Sequence, residues 1–306
     1  MTAWTVQVES ADPARAAVAA ATLASLPLTY TDAHGHPATA GADVVVVAGS
    51  GGWVDRVRAA AIAGARGVIV TDPLPAAEAA ALTAELPDCT VVLAETWASS
   101  PALQSAAEQF AAPITRTRLV DARSLEPRGG RDLRAVLFAQ LRAVQRLGVE
   151  VASLEIAAET ACSILGVGRS TEGARVVLSA ARSDAADGSL DLLSVAPDET
   201  IRIEVPGGTT ALPGRAVLTS ASAAVELPAV WQTAHRAAWL ALSHALLTGA
   251  EPRDLGSFAR AIAVPVHAGE PSAFREPRGD EARPPTQQQR HEQVHRGRDD
   301  HHRHDQ

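Results

Sequence analysis

The feature that most constrains this chain is the run Asp43-Val44-Val45-Val46-Val47-Ala48, followed at once by Gly49-Ser50-Gly51-Gly52 and an Ala-rich stretch from Trp53. An apolar run with no polar alternation cannot lie on a sheet with one wet face. It marks a strand buried on both sides, which requires helices above and below it. The flanking segments supply them. Trp4 to Glu9 alternates and is rich in Val and Thr, as a strand does. Asp12-Pro13 opens a helix, with Asp as N-cap and Pro in the first turn, running to about Ala24. Leu26 to Tyr30 is a second short strand. After the glycine turn come a helix from Trp53 to Ala63, a strand from Gly67 to Thr71, a helix from Ala76 to Glu85 and a strand from Cys89 to Ala94. This alternation predicts a Rossmann-like α/β domain over residues 1–97, a doubly wound parallel sheet with right-handed crossovers.

The pattern then changes. A helix over Ser99 to Ala111, a strand over Ile114 to Asp121 and a longer helix over Asp132 to Leu147 precede four strand-like runs: Glu150 to Ile156, Ala174 to Ala180, Leu190 to Ala196 and Ile201 to Val205. Strands in succession predict an α+β domain over residues 98–268 with a mostly antiparallel open sheet covered on one face. Two helices close it, Ala229 to Leu247 and Leu255 to Ala263. The first is apolar nearly all round (Trp231, Ala234, Ala238, Trp239, Leu242, Leu246), which predicts burial between domains or at a subunit contact. From Gly269 onward Pro, Arg, Asp, Gln and His replace the apolar residues, so residues 269–306 are expected to be a disordered tail.

Composition narrows the function. A charge of −8 argues against nucleic acid or an anionic membrane surface as the main partner. No apolar stretch reaches the ~20 residues of a membrane span, and Met1-Thr2-Ala3-Trp4 has no secretory character, so a cytoplasmic protein is expected. Cys89 and Cys162 lack metal-ligand spacing; two buried, reduced thiols are expected, with a disulfide as the alternative. The 27 basic residues are all arginine. No lysine of this chain can act as proton donor, Schiff base or phosphate clamp.

Four stretches, in order, carry a resemblance. They are Ser10-Ala11-Asp12-Pro13-Ala14-Arg15-Ala16 with Leu28-Thr29-Tyr30-Thr31-Asp32; Asp43 to Ala48 with Ala63-Gly64 and Val68-Ile69-Val70-Thr71-Asp72-Pro73-Leu74; Ile201 to Val205 through Gly207-Gly208-Thr209-Thr210-Ala211-Leu212; and Leu246-Leu247-Thr248-Gly249-Ala250-Glu251-Pro252. Together they resemble the glucose–fructose oxidoreductase / inositol dehydrogenase (Gfo/Idh/MocA) family. The resemblance implies an NAD(P)-binding Rossmann domain, an α+β second domain, and oxidation of sugars or cyclitols.

Measured against that family, the chemical positions are altered. The glycine-rich phosphate turn that should follow a first strand is absent, and Trp4 to Glu9 aligns with the family's second strand, as in an N-terminally shortened member; taken as the first strand, it still lacks the turn. Glu9 and Ser10 fall where the family reads the adenosine ribose, although an acidic residue capping near Asp12 is the plainer role. Gly49, Ser50, Gly51 and Gly52 form a strand-to-helix turn able to offer N–H groups to a phosphate, or a tight turn and no more. With Pro73 these are the candidate cofactor contacts, for NAD(P) as the resemblance implies.

The family's proton-relay lysine is replaced by Asp72 in Thr71-Asp72-Pro73. Its carboxylate is a candidate base if desolvated, or simply a solvated turn residue. The family's catalytic histidine has no counterpart on the helix from Asp132, where Gln140 sits near its place and cannot exchange a proton. His235 is the third candidate; His244, nine residues on, falls on the opposite helix face. His34 and His36 lie in a Gly/Pro-flanked loop, and Glu155 and Glu159 read as solvated rim. His291, His295, His301, His302 and His304 in the tail have no preformed ligand geometry.

The expectation is a catalytically degenerate oxidoreductase-like subunit that pairs with itself or with a catalytic paralogue. The alternatives are an active, divergent sugar or cyclitol dehydrogenase, and a small-molecule-binding or regulatory module.

Overall fold

The computed structural model describes residues 4–9, 12–26, 30–32, 41–207, 212–250, 252 and 254–268. Ser10, His34, His36 and the expected tail of 269–306 lie outside the described residues. In chain order the elements are β1 (Trp4–Val8), α1 (Pro13–Ala24), β2 (Tyr30–Asp32), β3 (Val44–Ala48), α2 (Trp53–Ile62), β4 (Gly67–Thr71), a 3₁₀ turn (Ala77–Ala81) running into α3 (Leu82–Glu85), β5 (Thr90–Ala94), α4 (Pro101–Gln109), α5 (Ala111–Thr115), β6 (Leu119–Glu126), α6 (Leu133–Arg146), β7 (Val151–Glu159), β8 (Ser163–Ser170), β9 (Arg175–Arg182), β10 (Leu190–Val195), β11 (Glu199–Val205), β12 (Arg215–Ser220), β13 (Ala224–Glu226), α7 (Ala234–Thr248), α8 (Asp254–Ile262) and β14 (Val266–Ala268).

β1 to β5 form one parallel sheet in the order β2-β1-β3-β4-β5. β1 hydrogen-bonds directly to both β2 and β3, so it is the second strand of an order 2-1-3-4-5, and the switch point lies between β1 and β3. The expected burial is found: every residue of β4 is buried, as are four of the five in β3 and in β5. Asp12 caps α1 by accepting from the Arg15 amide, with Pro13 in the first turn.

The two faces of this sheet are covered partly from the far end of the chain. Trp53, Val54 and Val57 of α2 share one face with Leu255 and Phe258 of α8. Ala19 and Leu23 of α1 share the other with Ala238, Trp239 and Leu242 of α7. α7 and α8 thus pack on the parallel sheet and do not close the second one as expected, because the crossover helices alone leave apolar strand surface bare. Tyr30 joins the layers: its hydroxyl donates to the Trp239 carbonyl at 3.0 Å, the rings meet edge-on, and burial pushes the phenol up to about 12. α7 also starts later than predicted. Val230 bridges to Gly214 in extended form, Thr233 caps the helix at the Arg236 amide, and Trp231 is 74% exposed.

The second sheet has nine strands in the order β13-β12-β11-β10-β6-β9-β8-β7-β14. All neighbours are antiparallel except β6–β9 and β7–β14. Val136, Leu137, Leu141 and Val144 of α6 pack on one face, against Val120, Ala122, Val176 and Leu178. α6 begins where expected because Asp132 accepts from the Arg134 and Ala135 amides.

Several stretches differ from expectation here, among them β12, β13 and β14, where no strand is predicted. The helix from Ser99 breaks at the buried Phe110, and α5 then takes up Ile114, so the strand starts at Leu119 and runs on to Glu126. β8 was not foreseen, since Gly166 and Gly168 dilute its strand character. Gly168 is needed where it is: a Cβ there would lie 2.1 Å from the Ser153 carbonyl oxygen, beside a register shift in β7. Both cysteines are free, and Cys162 is exposed rather than buried. No described helix is long and apolar enough to cross a membrane.

Candidate functional site

Ligands of doubly wound sheets bind beyond the carboxyl ends of the strands, at the switch point. The C-terminal ends of β1 and β3 bring together Glu9, the Gly49–Gly52 turn and Arg56 of α2. The Arg56 guanidinium donates to the carbonyls of Ala48 (2.7 Å), Ser50 (3.1 Å) and Gly51 (2.7 Å), and its Nε lies 2.9 Å from Glu9 Oε1. Glu9 Oε2 in turn accepts from the Ala48 amide at 3.0 Å. The turn therefore points carbonyls at a cation of its own chain, the reverse of a nest of N–H groups around a phosphate. Gly49 owes its lack of a side chain to the neighbouring turn: a Cβ would lie 2.4 Å from Pro73 Cα and 2.5 Å from the Thr71 oxygen. Gly52 adopts φ 70° just before α2. At the start of α1, the Asp12 carboxylate accepts from the Arg15 amide and stands 3.6 Å from Arg15 Nε.

Glu9 is placed by Arg56 and Ala48. Ser10 lies outside the described residues.

The turn after β4 is built around Asp72, the one described non-glycine residue with positive φ, 44°. Its amide donates to the Ala94 carbonyl at 3.0 Å. Oδ1 accepts from the amide and the hydroxyl of Thr96, both at 2.7 Å, and Oδ2 lies 3.5 Å from Nε2 of the buried His235. Asp72 is therefore no solvated turn residue. Burial pushes its carboxyl up, but His235, Arg131 and the Thr96 hydrogen bond outweigh burial and hold it well below the usual carboxylate range. A carboxylate so stabilised accepts hydrogen bonds but is a poor proton acceptor near neutrality.

Asp72 opens onto a cavity of about 200 Å³ between the ends of β4 and β5 and the first turns of α6. Pro73, Leu74, Trp97, Ala135, Phe138 and Ala139 supply apolar walls, and Arg15, Glu95, Arg131 and Asp132 supply charge. The Arg131 guanidinium stacks 4.4 Å over the Trp97 ring and donates to the buried Glu126 at 2.8 Å. Glu95 is held by Arg142 through two hydrogen bonds of 2.9 and 2.8 Å, a buried pair that ties the end of β5 to α6.

The three candidate catalytic residues thus separate. Asp72 and His235 meet, although His235 lines a small recess of about 30 Å³ behind Asp72 and not the larger cavity. Gln140 belongs to neither. It is fully buried under the second sheet, donating to Ser124 Oγ at 3.0 Å and to the Ser179 carbonyl at 2.7 Å. Its neighbours Phe138 and Ala139 face the cavity in its stead, because the α6 face that meets the sheet is the one carrying Gln140. His244 is exposed, and Glu159 pairs with Arg134 at the surface. Among the described residues no cluster of His, Cys, Asp and Glu can hold a metal. Thr96, Trp97, Arg131 and Arg15 were not singled out from sequence. The first two follow a buried parallel strand directly, the position where such folds place ligand contacts.

Neither a family model nor a curated protein sequence matches the chain. Solved structures do. KijD10, a 3-ketoreductase from Actinomadura kijaniata crystallised with NADP, is 15% identical with TM-score 0.67, covering 88% of this chain and 100% of that one. The UDP-N-acetylglucosamine 3-dehydrogenase GnnA from Acidithiobacillus ferrooxidans is 14% identical with TM-score 0.65, covering 86% of this chain and 95% of that one. The chain shares the fold of these two oxidoreductases. At these identities the likeness is one of architecture, an α/β Rossmann-type sheet joined to a large mixed sheet.

Proposed function

We propose that this chain is an oxidoreductase-fold protein that does not turn over substrate with a nicotinamide dinucleotide by itself, and that it serves as a non-catalytic, ligand-binding partner subunit. One observation carries the reading: the switch-point turn closes its carbonyls on Arg56, with the Glu9 carboxylate completing the enclosure. A pyrophosphate would have to displace that guanidinium and still face Glu9. Orientation and proton transfer each contribute orders of magnitude to a hydride-transfer reaction, and the residues at both positions are altered.

The Asp72–His235 contact favours the second reading, an active but divergent sugar or cyclitol dehydrogenase, since a carboxylate beside an imidazole can orient a proton donor. Against it, the imidazole stands behind Asp72 and away from the larger cavity. Association with a copy of itself or a catalytic relative is supported by the uncovered face of the nine-stranded sheet, where Leu125 and Val167 are exposed.

Titration of the full chain with NAD(H) and NADP(H), followed by tryptophan fluorescence and thermal shift, tests the proposal. No stabilisation is expected at about 1 mM cofactor, whereas a Kd near 10 µM would raise stability by roughly 2.7 kcal/mol. Tight cofactor binding together with turnover of a polyol by the chain alone refutes it.

A further inference from the structure

The nine-stranded sheet carries its charges unevenly. Every carboxylate on β6, β10, β11 and β13 is bound to an arginine of the chain: Asp121 to Arg123, Glu126 to Arg131, Asp191 and Glu204 to Arg202, Glu199 to Arg116 and Glu226 to Arg215. At one corner the reverse holds. Arg169 of β8 stands directly opposite Arg175 of β9, and the carbonyl of Arg118, just before β6, accepts from the Arg175 amide at 2.9 Å. All three arginines are exposed, and among the described residues none has an ion pair or a side-chain hydrogen bond. Like charges directly opposite on antiparallel strands, with Cα atoms about 4.5–5.5 Å apart, destabilise the pairing. In a chain of net charge −8, three unneutralised guanidiniums on adjacent strands are out of keeping with the rest of the surface. Carboxylates from outside would relieve the repulsion.

The residues around the corner narrow the source of those carboxylates. Two positions along the same face, Val167 lies opposite Val177, and Val167 is 39% exposed. Glu155 and Asp121 flank this valine pair on β7 and β6. A nucleic-acid backbone crossing the corner would meet those two acids. A free phosphate would touch the arginines and leave the valines bare. A folded segment carrying carboxylates beside an apolar side chain covers both. A second copy of this chain is poorly equipped to supply it through the same face: Glu159 is held by Arg134, which leaves Glu155 as the one strand carboxylate of the sheet without an arginine among the described residues.

We infer that this corner is a docking point for an acidic segment of a different protein, with its carboxylates on Arg118, Arg169 and Arg175 and an apolar side chain on Val167 and Val177. The inference deepens the association reading above by naming the partner's chemistry. It rests on that reading's uncovered sheet face and not on the argument about the cofactor.

The test uses the full chain and a fluorescein-labelled synthetic peptide of Glu pairs separated by single Val residues, read by fluorescence anisotropy. The same peptide with Gln for Glu, and an oligothymidylate of equal charge, are the controls. The Glu peptide half-saturates below about 200 µM in 20 mM NaCl and weakens at least about tenfold by 300 mM, while both controls bind at least about tenfold more weakly. Arg169→Glu weakens the Glu peptide at least about tenfold, yet unfolds at or above the parent's midpoint temperature, because it turns a repelling pair into an attracting one. Arg66→Glu, the same charge change at an exposed arginine of the first sheet, stays within about twofold of the parent. The docking point is refuted if either control binds as well as the Glu peptide, if Arg169→Glu binds within about twofold of the parent or unfolds well below it, or if Arg66→Glu weakens binding equally. A parent dimer in sedimentation velocity that Arg169→Glu dissolves would also overturn it, giving the corner to a second copy. NADPH binding with turnover would sink the cofactor argument and leave the docking point standing; an unresponsive Glu peptide sinks the docking point alone.

Discussion

Removing Arg142 should cost this protein more than its surface arginines do. The Arg142 side chain is 3% exposed and Glu95 12%. They meet through two hydrogen bonds of 2.9 and 2.8 Å, and Arg142 also donates to Ser257 and lies over the Phe258 ring. Arg142→Met keeps the aliphatic stem and leaves the Glu95 carboxylate buried without its counter-charge, a situation that typically costs about 3–5 kcal/mol. Glu95→Met strands the guanidinium and should cost a similar amount. The double variant buries no unpaired charge and should lose much less than the sum, with a coupling of about 2–3 kcal/mol. Urea denaturation of the four proteins supplies the cycle, provided the m-values agree. A loss below about 1 kcal/mol for Arg142→Met, or a double variant equal to the sum of the singles, would show that the pair does not join the two sheets energetically.

Three further outcomes are expected. Gly49→Ala forces a Cβ to 2.4 Å from Pro73 Cα, so it should destabilise by about 3 kcal/mol or fail to accumulate as folded protein, measured by denaturation. Asp72→Asn should cost about 1–2 kcal/mol at pH 7. Because the native carboxyl is held below its usual range, that stabilisation is present above the unfolded value of about 3.9 and is lost as pH falls through the native one, so the gap between parent and variant should close in acid; a gap independent of pH refutes the electrostatic account. Tyr30→Phe removes the buried donor to the Trp239 carbonyl and should lower stability by about 0.5–1.5 kcal/mol, with no change in the urea m-value.

The parallel sheet was legible from the sequence because Val44 to Ala48 and Gly67 to Thr71 are apolar without alternation, which only a strand covered on both faces tolerates. The cap residues Asp12 and Asp132 located two helix starts for the same local reason. The Gly166–Gly168 strand was not legible, because its requirement for glycine arises from a close approach to β7 that no local pattern encodes. Nor was the partnership of α7 and α8 with the first sheet, since apolar periodicity shows that a helix has a buried face but not what it is buried against. At the candidate site, the spacing of Asp72 and His235 gave no sign of their meeting, as it depends on how α7 crosses the sheet. Gln140 failed as a site residue because three or four positions around a helix decide between cavity and core.

The helices Ala234–Thr248 and Asp254–Ile262 give the molecule an order of assembly. A ribosome will have released more than two hundred residues before either can reach the strands they cover, so the first sheet to be synthesised is among the last to be sealed. Until then Trp4, Val44, Trp53 and Leu93 stand against bare flanks, and a polypeptide stopped short of Ala234 should aggregate rather than persist as a smaller soluble protein.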